Sequence, residues 1–415
     1  MNLLLAVLFI TMLLIVLIFF SFRLPHFSVI IVIFGEFLYL LLQKLNVVVG
    51  FTLISLFATF ILLVRYAIKN KSLSRIDLKL IYLTLIIISS SVIGIQNYSI
   101  VEVLLGLKVF IFPIVIHLIF KSLEYNQLRL ISKIFFILFS INLVFAMIEY
   151  NSTALEFLTN NSYFHYGTNI RELNGHIRAP GLMRTNVYLG MTSAYFLLGL
   201  ITFGFSNKKL ISKSTAILLA IITISLLILS ISRTSLVIIL VGLTTIAYRN
   251  RKFGYKLILT LASTITFVLY LGIGGVSTDS FFARIRVWRL VISDAGLLGH
   301  GLGSFGSSTF SRFYSSSFTG ADSTMDYLNF SDNNYLSLIF QFGYFPAICL
   351  LVIIAIWMRN LYKLSGAKTR SFILSVFFAS VVAAFVTDIW EYWPALGMCS
   401  FWFQYAKLEE GEFKK

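Results

Sequence analysis

"TAILLAIITISLLILSISRTSLVIILVGLTTIA", residues 215–247, contains a single charged side chain, Arg233. At 1.5 Å per residue this run would make a helix about 50 Å long, too long for one crossing of a ~30 Å hydrocarbon core. It therefore predicts two helices with a turn at Arg233. Apolar runs of similar length recur near 2–20, 27–43, 47–64, 79–96, 100–120, 130–149, 183–205, 214–231, 234–248, 257–275, 334–358, 371–390 and, shortest, 394–406. Only 12% of the 415 residues are charged, against about 25% in soluble domains, and mean hydropathy is +0.90. No strand-like alternation competes with this pattern, and a bilayer admits only helices or closed barrels as spanning structures. The expected fold is an all-α integral membrane protein, a polytopic bundle of about 12 or 13 transmembrane helices.

The opening run "NLLLAVLFITMLLIVLIFF" has no basic segment before it and no small-residue cleavage site after it, so it reads as a retained first span. Cys349 and Cys399 both fall within apolar spans and are expected to be small buried side chains, not a disulfide or metal pair. The histidines, among them His117, His165, His176 and His300, show no metal-ligand spacing, and no cofactor is expected.

Net charge is +16, which in a soluble chain would suggest nucleic acid. Its placement excludes that partner. Lys and Arg concentrate in the short loops 65–75, 207–213, 248–256 and 359–370, which mark the cytoplasmic side and alternate consistently with the spans. The chain then divides into N-terminal helices (1–150), an outer loop (151–182), helices carrying the Arg233 turn (183–275), a large outer loop (276–333), and C-terminal helices with a short tail (334–415). Around these outward connections stand Arg171, Arg178, Arg184, Arg284, Arg286, Arg289 and Arg312, with no lysine between 150 and 186 or between 276 and 333. Guanidinium is planar, permanently charged and matches phosphate oxygens two at a time. An outer surface basic through arginine alone suits a phosphate or diphosphate ligand. The plainer reading pairs these arginines with Glu172, Asp279, Asp294, Asp322 and Asp326, although Arg233 has no acid close in sequence.

In the large loop, Phe281, Phe282, Ile285, Trp288 and Ile292 recur at helical spacing, which predicts an amphipathic helix at the membrane interface. "GHGLGSFG" ends that helix with a backbone able to approach a ligand closely, and brings His300 into the candidate set. Residues 304–324, rich in Ser, Thr and aromatics, read as a lid over sugar or as a plain connector. Asp332, Asn333 and Asn334 then stand at the mouth of the next span. They read either as an N-cap or as a general base beside carbohydrate-binding amides. Glu102, Lys108 and Glu149 are ionisable residues at or within spans and so functional candidates or helix-pairing groups.

Four segments in order, "RAPGLMRTNVYLG", "SISRTSL", "ARIRVW" followed by "GLLGHGLGSF", and "DNNYLSLIFQFGYFP", together resemble the motifs of the O-antigen polymerase and ligase (Wzy/WaaL) superfamily. The resemblance covers roughly residues 175–345. It implies a bacterial inner-membrane enzyme that transfers a glycan from undecaprenyl diphosphate on the periplasmic side without a metal. By motif position it assigns the diphosphate to Arg233, Arg284 and Arg178. Ligases of the superfamily are similar to one another in a histidine-asparagine pair before the span after the loop. This chain has Asp332 and Asn333 there, which favours a polymerase.

Transfer from a diphosphate requires charge neutralisation on the leaving group and deprotonation of the attacking hydroxyl. Arg178, Arg233 and Arg284 are expected to supply the first and Asp332 the second. Arg184, Asn186, Arg286, Arg289, His300, Asn333, Asn334 and Tyr335 are expected to contact substrate. The implied partners are an undecaprenyl diphosphate-linked oligosaccharide, membrane lipids and a chain-length regulator. A ligase or protein O-oligosaccharyltransferase would share the donor and arginines but not the acceptor. A lipid-linked oligosaccharide flippase would instead show internal repeats and short outer loops.

Overall fold

The computed structural model describes residues 25–45, 47, 78–98, 100–121, 123–152, 155, 172–173, 176–204, 210–249, 285, 288–305, 333–385, 387 and 392–412. The expected spans at 2–20 and 257–275, and all of 47–64 but Val47, lie outside them. Within the described residues the regular secondary structure is helical apart from one antiparallel pair, β1 (Glu172–Leu173) and β2 (His176–Ile177). Five described helices are long and apolar enough to cross a membrane, the make-up of a helical membrane protein.

The chain forms two units, one of Met1–Leu73, Ile114–Ile239 and Pro394–Lys415, the other of Ser74–Pro113 and Leu240–Trp393. The first contains α1 (Pro25–Phe37), α2 (Tyr39–Lys44), the second part of α4 (Ile100–Lys121), α5 (Tyr125–Asn151), α6 (Asn186–Phe203), α7 (Lys213–Ser230), the start of α8 (Arg233–Arg249) and nearly all of α12 (Trp393–Glu412). Its core helix is α6, buried along most of its length from Tyr188 to Phe203. Small residues on α6 let neighbours approach it. A Cβ on Gly199 would collide with the Trp402 indole, and one on Gly190 would meet Ser230, Ser232 and Ser235. Around α6 the rings of Phe135, Phe139, Phe196, Phe401 and Trp402 pack edge-on or tilted, except Phe196 and Phe401, which stack, with Phe139 and Phe196 centroids 4.9 Å apart.

The apolar run 215–247 breaks as its length requires. Helix α7 ends at Ser230, Ile231 takes a left-handed φ of 42°, and α8 starts at Arg233. The expected span 27–43 also breaks, which periodicity did not foretell. The carbonyl of Phe37 accepts from Asn142 Nδ2 at 3.1 Å, and the Leu40 N–H donates to the Leu182 carbonyl at 3.0 Å. These tertiary bonds engage the Phe37 carbonyl and the Leu40 N–H, on either side of Leu38, which itself keeps helical bonds to the Phe34 carbonyl at 3.1 Å and the Leu42 N–H at 3.0 Å. The segment expected to be shortest, 394–406, is the 20-residue helix α12, which buries Phe401, Trp402 and Tyr405.

The second unit holds α3 (Leu78–Asn97), the first part of α4, the rest of α8, a helical turn at 288–294, α9 (Asn334–Phe342), α10 (Tyr344–Leu364) and α11 (Ala367–Ala383). The span expected at 334–358 is two helices. Gly343 separates them at a φ of 83°, and Pro346 lacks the N–H that a continuous helix would need there. The freed carbonyls of Phe340 and Gln341 accept from the N–H groups of His300 at 2.8 Å and Gly301 at 3.0 Å. At 288–294 the buried face is Trp288, Val291 and Ala295, while Ile292, expected on that face, is exposed. Phe281 and Phe282 lie outside the described residues.

Substituting Gly199 with Ala should destabilise the protein by about 1–3 kcal/mol, the usual cost of overpacking a core. A Gly397→Ala change meets only Ile116 Cγ2, at 3.3 Å, and should cost much less. Melting curves of the two purified variants in the same detergent test the contrast; equal losses would contradict this packing.

Candidate functional site

In the first unit, β2 leads directly into residues 178–185, "RAPGLMRT", and these are fixed to three helices by their backbone. Pro180 and Gly181 make a turn closed by Met183 N–H to the Pro180 carbonyl at 3.2 Å, with Gly181 at a φ of 62°. The Gly181 N–H donates to Glu149 Oε2 at 2.8 Å, and the Leu182 N–H to Asn142 Oδ1 at 2.9 Å. Glu149 and Asn142 are both buried on α5. Thus Glu149, a candidate for chemistry in the sequence, holds a loop. Thr185 caps α6 through its hydroxyl, which accepts from the Tyr188 N–H at 3.1 Å.

The same segment closes over the end of α7. Ala179 N–H donates to the Leu229 carbonyl at 3.1 Å, and Asn186 Nδ2 donates to the Ser230 carbonyl at 2.9 Å. A helix leaves its last carbonyls without intrahelical partners, and two of those of α7 are satisfied here. Asn186, expected to contact substrate, has this capping role. The bonds bring Arg178 to the turn that carries Arg233, near enough for their charges to repel. Burial first, and the charge of Arg233 second, push the Arg178 guanidinium below its ordinary value, though not to neutrality.

Arg178 is half-buried and its buried Nε has no hydrogen-bond partner among the described residues, whereas Arg233 is exposed. Arg184 lies over the Tyr39 ring, 5.7 Å from its centroid. Arg233 also occupies the first position of α8, where the helix dipole is positive and disfavours a cation. Two guanidiniums and a helix N-terminus thus concentrate positive potential at one turn, and an anion there would relieve the repulsion. No Asp or Glu occurs between residues 173 and 278. Two residues after Arg233, the buried Ser235 hydroxyl has no hydrogen-bond partner among the described residues.

No family model matches the chain, and neither does any curated protein.

The candidates in the second unit are held by structural bonds. Asn333 caps α9: its Oδ1 accepts from Tyr335 and Leu336 N–H at 3.0 and 3.2 Å, while Nδ2 donates to the Phe385 carbonyl at 3.2 Å. Tyr335 donates its hydroxyl to the Val381 carbonyl at 2.9 Å. Asn334 is buried, with its Oδ1 unpartnered among the described residues. His300 stacks on Phe340 at 4.3 Å and meets the Asp294 carbonyl at 3.0 Å and its carboxylate at 3.4 Å. Arg289 is exposed. Arg284, Arg286 and Asp332 lie outside the described residues. No group of His, Cys, Asp and Glu able to hold a metal occurs among the described residues.

The glycine run is not an open cradle. A Cβ on Gly299 would strike the Gly343 backbone, one on Gly301 the Gly94 backbone, and one on Gly303 the Glu102 backbone, at 2.8 Å from its carbonyl carbon. These glycines serve backbone-to-backbone packing, which a motif alone does not distinguish from ligand approach. The α5 residues Asn142 and Glu149 were the ones whose part in the site was hidden. A polar side chain in an apolar helix was the available signal.

Replacing Asn142 with Ala leaves the buried Leu182 N–H and Phe37 carbonyl without their partner. It should cost about 1–3 kcal/mol for each buried group left unmatched. Thermal melting and limited proteolysis between residues 178 and 185 measure the effect; an unchanged melting temperature and cleavage pattern would show that Asn142 does not hold the loop.

Proposed function

We propose that the chain is a glycosyltransferase of the O-antigen polymerase type. It extends a surface polysaccharide by moving a growing glycan from undecaprenyl diphosphate onto the non-reducing end of another lipid-linked repeat unit. The reaction takes place on the periplasmic face of a bacterial inner membrane. The observation carrying this reading is that Arg178 and Arg233 lie near enough at the α7–α8 turn for their charges to repel, in a stretch of sequence without carboxylates.

The acceptor hydroxyl oxygen bonds to the anomeric carbon of the donor sugar as the bond from that carbon to the diphosphate oxygen breaks. Undecaprenyl diphosphate departs with the bonding electrons, and the configuration inverts. Negative charge grows on the leaving oxygen, where Arg178 and Arg233 neutralise it; for Arg284 the same role rests on motif position alone. Fixed cations in a partly dry site act more strongly than in water and need no reorganisation. Deprotonation of the hydroxyl is assigned to Asp332 by motif position alone. Arg184 holds the lipid headgroup, and for Arg286, Arg289 and Asn334 contact with lipid head or sugar likewise rests on the sequence.

Full-length protein in nanodiscs, given undecaprenyl diphosphate-linked repeat units and no other enzyme, should produce a ladder of longer lipid-linked glycans. Arg178→Ala and Arg233→Ala should each slow it about 100-fold, the scale for losing one fixed charge-stabilising group, with melting temperature retained. Arg233→Lys should recover part of the rate, since it keeps the charge but not the fork. Folded variants as fast as wild type would sink the proposal. Transfer only to added lipid A core would replace polymerisation by ligation.

A further inference from the structure

The second unit carries another cluster of cations, at the end of α8 opposite Arg233. Arg249, the last residue of α8, donates from Nη1 to the Tyr362 hydroxyl at 3.1 Å, and its Cζ lies over the Tyr362 ring, 5.5 Å from the centroid. Arg370 of α11 lies over the same ring, also at 5.5 Å, while its Nε donates to the carbonyls of Tyr362 at 3.1 Å and Ser365 at 2.7 Å. Arg359 and Lys363 on α10 and Lys368 on α11 stand nearby in sequence, all exposed. None of these five cations pairs with a carboxylate among the described residues, and the chain from 333 to 387 has no Asp or Glu.

An apolar surface leads to this cluster. In the 20 residues Tyr344–Lys363 only 11% of the most apolar window is buried, and Phe345, Ile348, Val352, Ile356 and Trp357 are all exposed. Tyr248, beside Arg249, is 87% exposed. Aromatic side chains of this kind sit at the boundary between headgroups and acyl chains. A helix with an apolar flank, interfacial aromatics and cations at one end matches a diacyl lipid with an anionic head, not a soluble anion. A zwitterionic head would bring a second cation into the cluster.

We propose that the C-terminal ends of α8 and α10, with the start of α11, bind an anionic phospholipid, its phosphodiester between Arg249, Arg370 and Lys363 and its acyl chains along the exposed face of α10. Two guanidiniums stacked on one tyrosine are already oriented, so little conformational freedom is lost on binding. Basic clusters between helices next to the membrane are suited to such headgroups, each cation contributing about fivefold in affinity.

The full-length protein, delipidated in detergent, would be titrated with phosphatidylglycerol, phosphatidylcholine and inorganic phosphate while retained lipid is counted by native mass spectrometry and melting is followed. Phosphatidylglycerol should bind in preference to phosphatidylcholine and raise the melting temperature, with inorganic phosphate giving no comparable shift. Arg249→Gln should lower phosphatidylglycerol affinity about fivefold. Because Arg370 also holds backbone carbonyls, its removal is not needed: a photo-crosslinking phosphatidylglycerol on the wild-type protein should label the ends of α8 and α10. Equal binding of both lipids, protection by inorganic phosphate alone, undiminished binding in Arg249→Gln, or labelling elsewhere would each overturn the proposal.

Discussion

An unpaired backbone N–H or C=O is costly in apolar surroundings, and the first unit is organised around meeting that constraint at residues 178–186. This segment leaves the helical pattern beside three helices, and apart from the turn closed by Met183 and Pro180 its backbone is met by groups on those helices. Glu149 and Asn142 on α5 accept from Gly181 and Leu182, and Ala179 and Asn186 donate to the last carbonyls of α7. One set of bonds satisfies the loop and the helix end together. Asn142 also reaches the Phe37 carbonyl, so the break between α1 and α2 follows from the same arrangement.

The arginines follow from this seam. Arg178 is delivered by the loop and Arg233 by the turn that the loop caps, so the fold brings their charges within range of each other. Burial raises the cost of that arrangement for Arg178. Like charges held near one turn repel, the positive end of α8 adds to that repulsion, and an anion bound there would relieve it. This is the physical basis for reading the turn as a place for a diphosphate.

The second unit solves the same backbone problem with glycine. Gly343 breaks a helix, and the exposed carbonyls of α9 are taken by the N–H groups of the 299–301 strand of chain. Such contact needs a backbone without Cβ on both sides, which Gly94, Gly299, Gly301 and Gly303 provide. The run therefore reads as a motif for structural packing, while Asn333 and His300 are committed to a cap and a stack.

Hydrophobic length alone determined that the chain is helical and that residues 215–247 must fold back near Arg233, because spanning distance and helical rise are fixed by geometry. The identity of the side chains likewise determined that residues 150–186 and 276–333 are basic through arginine, with no lysine. The sequence did not disclose the breaks at Leu38 and Gly343 within apolar runs, because each depends on hydrogen bonds offered by residues far along the chain. Nor did it disclose that Glu149 and Asn142 hold a loop, or that Arg249 and Arg370 share Tyr362. Only tertiary structure decided these, because periodicity records which face of an element is apolar but not which distant backbone group comes to meet it.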